Sequence, residues 1–473
     1  MPADRAPRPG TYIFVNLGCP KNLVDAECVA GRLESLGWRA AASAADASLV
    51  VVTTCAFITS AVEESVMEIL DAAGGKREGQ TLAVLGCLVS REGHALAKLL
   101  PEVDLFLDVD QMTSLPERLE ELAFTRPQVT PDAGRRREDP IDQRLPPPHR
   151  GRRPGGRRLF TPRHLAYLKI ADGCSNKCSY CLIPSIRGEL RSRMREEIVA
   201  EARELASAGV KELVVIAQDT SAWGLERGEG ECLYDLLEGV AGAARFEWIR
   251  LMYLHPAHID LSRLVPLVSS GTVIPYLDIP IQHASDRILE AMNRPYRRRE
   301  LERLFEELRS AIDDLVLRTT VMVGFPGETD EEFRELVDFI EEVSFDHVGV
   351  FSYSPEKGTK ACSIRPRVAA GVAEERKDEL LTIQLDISHE RLSARIGSSL
   401  DVLVDAKAGE EEAQRPGVEA EGRFYGQAYD VDGVTYLTGG PVRPGELVRA
   451  RVLEAEPYDI IARVIPEPPV YKR

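Results

Sequence analysis

The sequence predicts an α/β protein in three parts: a parallel α/β domain at the amino terminus, a partial (β/α)6 barrel in the middle, and a small β-barrel at the carboxyl end. Three observations carry this reading. Four apolar, β-rich runs alternate with helical stretches between Thr11 and Leu122, and six more do so between His164 and about Ser354. From about Ser398 to Glu467 the chain instead shows short β-rich runs punctuated by Gly and Pro. At 473 residues it is also too long for one ordinary core.

The elements follow in order. In residues 11–125 the runs TYIFVNLG, SLVVVTTC, TLAVLGC and VDLFLDV read as strands, and AVEESVMEILDAA reads as a helix between two of them. Residues 126–163 contain GRRRED and LPPPHRGRRPGGRR without apolar periodicity, so a solvated, extended linker is expected. Its basic charge is local, and charge runs in linkers are more often solvated than nucleic-acid-binding. Residues 164–395 form the second α/β series, with strands HLAYLKI, ELVVIAQ, WIRLMYL, IPYLDIPI, LRTTVMVGF and HVGVFSYS. The helices RELERLFEELRSAIDDL and EEFRELVDFIEEV carry Leu and Phe at helical spacing, which assigns those positions to the core. After the helix AEERKDELLTIQLDISHERLSARI, residues 396–467 read as a small antiparallel barrel.

Composition narrows the function classes. Lys and Arg number 59 against 76 Asp and Glu, giving a net charge of -17 and a pI near 5.2. That balance argues against broad capture of nucleic acid or an anionic membrane and suits a basic partner. The opening MPADRAPRPG lacks the apolar core of a secretory signal, and no apolar run approaches the roughly 18 residues of a spanning helix, so a cytoplasmic protein is expected. Nine cysteines in a reduced chain of this size point to metal or cluster ligation rather than disulfides.

Two cysteine groups stand out. DGCSNKCSYC places Cys174, Cys178 and Cys181 just after the first strand of the second domain, in C-x3-C-x2-C spacing. Three thiolates on a 4Fe-4S cube leave one iron without a protein ligand, open to chelate a small molecule. A structural zinc site is the alternative, but it would need a fourth nearby ligand that this segment lacks. In the first domain Cys19, Cys55 and Cys87 each lie just beyond a strand, separated by 36 and 32 residues. The carboxyl ends of parallel strands share one edge, so the three can converge there. A single cysteine so placed would be read as a small core residue; Cys28, Cys232 and Cys362, without partners at ligand spacing, are so read.

The C-x3-C-x2-C loop after the first strand of a partial (β/α)6 barrel resembles the radical S-adenosylmethionine superfamily. There the open iron binds the methionyl part of the cofactor, the reduced cluster cleaves a carbon-sulfur bond, and a 5'-deoxyadenosyl radical abstracts hydrogen from substrate. The two triplets with the terminal barrel resemble the methylthiotransferase family along nearly the whole chain: an auxiliary-cluster domain, the radical core and a TRAM domain. The resemblance implies two 4Fe-4S clusters, an auxiliary one that carries or receives sulfur, and S-adenosylmethionine as source of both methyl group and radical. The long Arg/Pro-rich linker departs from the family pattern and takes no function from it.

Within the family, NLGCPKNLVDAE, IADGCSNKCSYCLIPSIRGELRSR, RLMYLHP, YLDIPIQHASDRILEAMNR and VGVFSYSPEKGT look like the RimO subgroup, which modifies an Asp of small-subunit ribosomal protein number twelve. The tRNA-adenosine subgroup, the alternative, has Gln and Met after its first cysteine and a Gln-Ser-Gly turn where this chain has Gln282, His283 and Ala284. Acids at Glu410 to Glu412, Glu419, Glu421, Asp430 and Asp432 give the tail an acidic face expected to repel tRNA and suit a basic ribosomal protein; a merely solubilising surface is the other reading. The resemblance further implies an electron donor, and sulfur drawn from the auxiliary cluster or an external donor. A non-catalytic iron-sulfur scaffold is disfavoured by the open cluster.

Cofactor contacts are expected at the carboxyl ends of the core strands. Tyr180 matches the family's aromatic position near the adenine, or packs under the loop. Gln218 and Asp219 follow ELVVIA, and Gln282 and His283 follow YLDIPI. GFPGE at Gly324 to Glu328 either brings backbone near the cofactor or only turns the chain into a helix. No residue is assigned as catalytic acid or base, and no Ser-His-Asp order or P-loop supports a hydrolase or kinase.

Overall fold

In the computed structural model the described residues are 9–125, 156–228, 230–409, 415–466 and 468. The chain divides into two compact units, Met1–Phe160 with Leu182–Glu189, and Thr161–Cys181 with Leu190–Arg473. Most of the predicted linker, and Glu410 to Glu412, lie outside the described residues. Among the described residues no helix is long and apolar enough to cross a membrane.

The first unit is a five-stranded parallel sheet of β1 (Thr11–Asn16), β2 (Arg39–Ala40), β3 (Leu49–Thr54), β4 (Thr81–Gly86) and β5 (Leu105–Leu107), in the order β2-β1-β3-β4-β5. Its helices are α1 (Pro20–Ser35), α2 (Thr59–Gly74), α3 (Cys87–Glu92), α4 (His94–Leu99), α5 (Leu115–Thr125) and the detached α6 (Ile183–Arg187). The central β3, LVVVTT, is buried along its whole length, as a strand covered on both faces must be. Val50 and Val52 pack on one face with Ile69, Leu88, Leu182 and Ile186; Leu49 and Val51 pack on the other with Val29, Leu33 and Leu115.

Two segments depart from the sequence-based boundaries. Residues 156–160, expected in the linker, pack on α1 because Glu27 is fully buried and requires a cation: Arg157 Nε donates to it at 2.6 Å, and the Phe160 amide donates at 2.7 Å. Residues 182–189, expected in the second domain, belong to the first unit because Leu182 and Ile186 fill its core.

The second unit holds a six-stranded parallel sheet in sequence order: β6 (Leu165–Lys169), β9 (Glu212–Ile216), β10 (Trp248–Leu251), β11 (Tyr276–Asp278), β12 (Val316–Val323) and β13 (His347–Ser352). A small ribbon of β7 (Ala171–Asp172) and β8 (Arg191–Ser192) flanks the cysteine loop. The crossovers are α7 (Arg195–Ser207), α8 (Leu233–Ala243), α9 (Leu261–Ser269), α10 (Asp286–Ala291), α11 (Arg298–Ala311) and α12 (Asp330–Val343). A parallel sheet whose spatial order equals its chain order is the topology of an open (β/α)6 barrel. Thr329 caps α12: its hydroxyl accepts from the Glu332 amide at 3.3 Å and its own amide donates to Glu332 at 2.9 Å, a reciprocal cap that stabilises by about 1 kcal/mol.

Helix α13 (Ala370–Ser393) leads into a closed barrel of β14 (Ser399–Lys407), β15 (Val418–Phe424), β16 (Thr435–Thr438), β17 (Leu447–Ala455) and β18 (Ile460–Val464), in the order β14-β15-β16-β18-β17. It is not wholly antiparallel as expected, since β16 and β18 run parallel. Parity is the reason: strands of a closed ring cannot alternate direction throughout when their number is odd.

Buried charges dock this barrel on the core. Glu212 of β9 accepts from Arg250 Nε at 2.7 Å and from Arg423 Nη1 at 2.6 Å; Arg423 reaches on to Asp405 at 2.7 Å, which pairs with His164 at 2.9 Å. Arg250 also donates to the carbonyls of Tyr425 and Gln427. Asp432, expected on an exposed acidic face, has its side chain buried instead. It accepts from the Tyr276 hydroxyl at 2.8 Å and lies 3.4 Å from Arg318 and 3.7 Å from His347, because the buried Arg318 guanidinium needs an anion when the barrel covers it. Glu419 and Asp430 are exposed and Glu421 is half-buried. A cavity of about 480 Å³ between Arg309, Asp314, Glu390, Arg391 and Arg395 lies at the amino ends of the core strands, away from the edge that carries the cysteine loop.

Candidate functional site

In the first unit the three cysteines fall where their strands end. After β1 the chain turns at Gly18, with φ +90°, where a Cβ would sit 2.9 Å from that of Cys55, so only glycine fits. Cys19 then caps α1, Cys55 follows β3, and Cys87 is the first residue of α3. Asn22, buried in α1, knits these loops: Nδ2 donates to the carbonyls of Leu17 at 3.3 Å and Thr54 at 2.9 Å, and Oδ1 accepts from the Cys87 thiol at 3.5 Å. Ser65 fixes Cys55 through its amide and carbonyl, at 3.1 and 2.9 Å. Each thiol lies within electrostatic reach of the others. Burial raises the Cys55 thiol and pushes the Cys87 thiol up to about 11, Cys19 adds to both, and Arg187 opposes.

In the second unit the loop with Cys174, Cys178 and Cys181 leaves the β6–β7 edge and is held from several sides. Asn176 Nδ2 donates to Asp219 Oδ2 at 2.7 Å, and the Ser179 amide and hydroxyl donate to the carbonyls of Met292 and Ala291 at 3.0 and 2.7 Å. Asn293 donates to the Lys177 carbonyl at 2.7 Å. Burial, with the charges of Asp219 and Cys178, pushes the Cys174 thiol up to about 11.

The other expected residues surround this loop unequally. Gln218 Nε2 donates to Asp172 at 3.1 Å, while its buried Oε1 has no hydrogen-bond partner among the described residues. Asp219 is satisfied by Asn176, His258 at 2.8 Å, Ser221 at 2.8 Å and the Ala222 amide at 3.2 Å. Burial alone would push its carboxyl up, but the hydrogen bonds from His258 and Ser221 hold it below the ordinary range. Gln282 adopts φ +70° and continues the sheet beyond β11, taking the Thr320 carbonyl at 2.9 Å and giving its own to the Met322 amide at 2.8 Å. Tyr180 is half-buried against Ile288, Met292, Phe325 and Ala361, with the Arg294 guanidinium 6.0 Å from its ring. His283 is fully buried, its Nε2 3.6 Å from Glu328. In GFPGE, Gly324 has φ +72° and a Cβ there would meet that of Ala373 at 2.4 Å, so this turn admits α13 against it.

Sequence reasoning missed Arg187, Asn22, His255, His258 and Tyr253. Tyr253 shares the left-handed conformation of Gln282, at φ +63°, at the carboxyl end of the neighbouring strand; such strain concentrates at functional edges. His255 stacks on His258 at 4.8 Å, and burial with the nearby Arg294 charge pushes it down to about 3, so it is neutral. Its position after WIRLMYL was the available signal, since the other strand ends were read that way.

The donor geometry distinguishes single ions from clusters. Zinc bound tetrahedrally at about 2.3 Å needs sulfurs roughly 3.8 Å apart. Among the described residues the ligand atoms of Asp219, His255 and His258 all fall within 4.8 Å of one another, and neither cysteine triplet closes so far. The Asp219 carboxylate is already satisfied by its own hydrogen bonds, and an ion would have to displace the His258 and Asn176 donors. The wider triplets suit a cubane, whose irons take thiolates at separate corners, and binding would deprotonate the buried thiols.

Comparison with known proteins matches the Radical SAM superfamily over residues 168–340, Uncharacterized protein family UPF0004 over 11–108 and the TRAM domain over 396–465. Two relatives named Ribosomal protein uS12 methylthiotransferase RimO are 40% identical to this chain. One, from Syntrophus aciditrophicus, aligns over 96% of this chain and 98% of its own; the other, from Geobacter sulfurreducens, does so over 96% and 98%. Among solved structures, the radical S-adenosylmethionine methyltransferase TsrM from Kitasatospora setae aligns with a TM-score of 0.51 at 16% identity, covering 72% of each chain, a likeness of fold.

Proposed function

The chain belongs to the ribosomal protein uS12 methylthiotransferase family, and from that premise we propose that it replaces a hydrogen on the β-carbon of a uS12 aspartate with a methylthio group. The observation that carries the reading is the pair of cysteine triplets, one in each unit, both spread too widely for a single ion. Cys174, Cys178 and Cys181 would hold the radical-generating 4Fe-4S cluster, and Cys19, Cys55 and Cys87 the auxiliary one. When bound, the first cluster with S-adenosylmethionine supplies the hydrogen-abstracting radical, and the second supplies the site for sulfur.

The protein's own residues bind, orient and exclude water. Gln218, whose buried Oε1 has no hydrogen-bond partner among the described residues, and Gln282, held at a strained strand end, would contact S-adenosylmethionine. Asp219 stays ionised and acts mainly by holding the loop through Asn176. Tyr180 and its apolar neighbours close the site beneath the loop, which keeps water from a reactive radical.

The partner reading follows charge. A protein of net charge -17 with exposed Glu419 and Asp430 on its barrel suits a basic ribosomal protein better than tRNA, and complementary charge would speed encounter. An electron donor completes the system, a sulfur donor can replenish the auxiliary site, and the cytoplasm is the compartment where such a substrate is found. The test incubates the reconstituted enzyme with purified uS12 and, separately, with tRNA. A methylthio mass increment on a uS12 aspartate is expected; a product on tRNA alone overturns the assignment.

A further inference from the structure

Arg187 is 2% exposed and lies beside Cys55 and Cys87 in the amino-terminal unit. It ends α6, bonds to the Cys87 thiol, and reaches two residues of α1. Nη1 donates to Asp25 at 3.1 Å, and Nη2 donates to Asn22 Oδ1, the atom that also accepts from the Cys87 thiol. Its positive charge acts on Cys55 and Cys87, opposing the rise that burial imposes.

We propose that Arg187 is a positioning residue of the amino-terminal cluster site, where its guanidinium offsets the negative charge gathered by Cys19, Cys55 and Cys87 and sets the reduction potential of the cluster they hold. The inference rests on the reading that these three cysteines ligate a cluster. Charge bookkeeping supports it. A 4Fe-4S core of charge 2+ with three thiolates carries one net negative charge, and an added electron or a sulfur anion at the open iron brings a second. Inside a protein that accumulation is costly unless a cation and hydrogen-bond donors face it.

Asp25 is the counterweight. It anchors Nη1 so that Nη2 points towards Asn22 and Cys87, and it also dilutes the cation's field. The fork geometry suits arginine to this position: a lysine would supply the charge without the rigid planar fork that spans Asp25 and Asn22. The residue comes from the stretch that follows Cys181, so the amino-terminal site is incomplete without residues 182–189.

The experiment uses the full chain with Cys174, Cys178 and Cys181 replaced by Ala, leaving only the amino-terminal site to be filled. Redox titration with dithionite, followed by electron paramagnetic resonance, gives the midpoint potential alongside an iron and sulfide count. Arg187→Met should lower the potential enough to shift the oxidised-to-reduced ratio at least tenfold, about 59 mV for a one-electron couple. Arg187→Lys should recover part of that shift, and Asp25→Asn should move the potential the opposite way. Wild-type potentials in all three, or shifts of the same sign in Arg187→Met and Asp25→Asn, overturn the proposal. If Arg187→Met holds no iron, Asp25→Asn and Arg187→Lys decide it by the same signs. A background protein that holds no iron before any of these changes sinks the cluster reading itself.

Discussion

Asn176 and Asp219 are joined by a 2.7 Å hydrogen bond that ties the loop bearing Cys174 and Cys178 to the end of β9. Asp219 is 3% exposed and spends its other lone pairs on His258, Ser221 and a backbone amide. Asp219→Asn would place an amide donor against donors that now find an acceptor, a loss of about 1–3 kcal/mol. We expect the variant to fold and retain amino-terminal iron, while the apparent KM for S-adenosylmethionine rises roughly tenfold, the equivalent of about 1.4 kcal/mol. Unchanged KM in steady-state cleavage assays would show that the loop holds its shape without this bond.

The division of labour between the two cysteine groups gives a second expectation. Cys178→Ala should abolish reductive cleavage of S-adenosylmethionine, and Cys55→Ala should spare part of it while stopping sulfur insertion. Chromatographic measurement of 5'-deoxyadenosine beside mass analysis of the uS12 product separates the two. Equal loss of both activities in both variants contradicts separate roles.

The docking of the barrel on the core turns on Glu212, fully buried between Arg250 and Arg423. Burial pushes this carboxyl up, but the two guanidiniums overcome it and hold it below its ordinary value of 4.5; Asp405 and Asp432 are likewise held below 3.8. Carboxyls with depressed folded pKa values contribute stability that is present above the unfolded values and lost as pH falls below them. Denaturant unfolding of the apoprotein should therefore show stability falling steeply below about pH 4.5. Glu212→Gln strands one guanidinium charge, should cost about 3–5 kcal/mol at neutral pH, and should flatten the acid slope. A change under 1 kcal/mol would mean that apolar packing alone seats the barrel.

What the sequence made legible follows from the range of the interactions. Cys19, Cys55 and Cys87 could be grouped because each closes a parallel strand, and strand ends share an edge whatever else the chain does. Arg187 could not be placed there, because its partners Asn22 and Asp25 lie 165 and 162 residues away and nothing local marks it. Asp432 was misread as surface acid for the same reason: its partners Tyr276, Arg318 and His347 belong to the core strands. The parallel pair of β16 and β18 was hidden because local patterning signals strands but not how a ring of them closes.

His255 yields a pH dependence of its own. It is 7% exposed, its Nδ1 accepts from the Ala257 amide at 3.3 Å, and burial and Arg294 keep it neutral down to about pH 3, whereas in the unfolded chain it takes a proton below about 6.5. Between those values the unfolded state binds a proton that the folded state refuses. Stability from this residue is therefore complete above pH 6.5 and declines as pH falls, by at most about 1.4 kcal/mol per pH unit. Urea unfolding of apoprotein at intervals from pH 7 to 5 should show this slope in the parent chain and its loss in His255→Gln, whose amide can still accept from Ala257 but cannot titrate. Parallel slopes in the two proteins would mean that His255 charges in the folded state and that the Arg294 side chain moves to accommodate it.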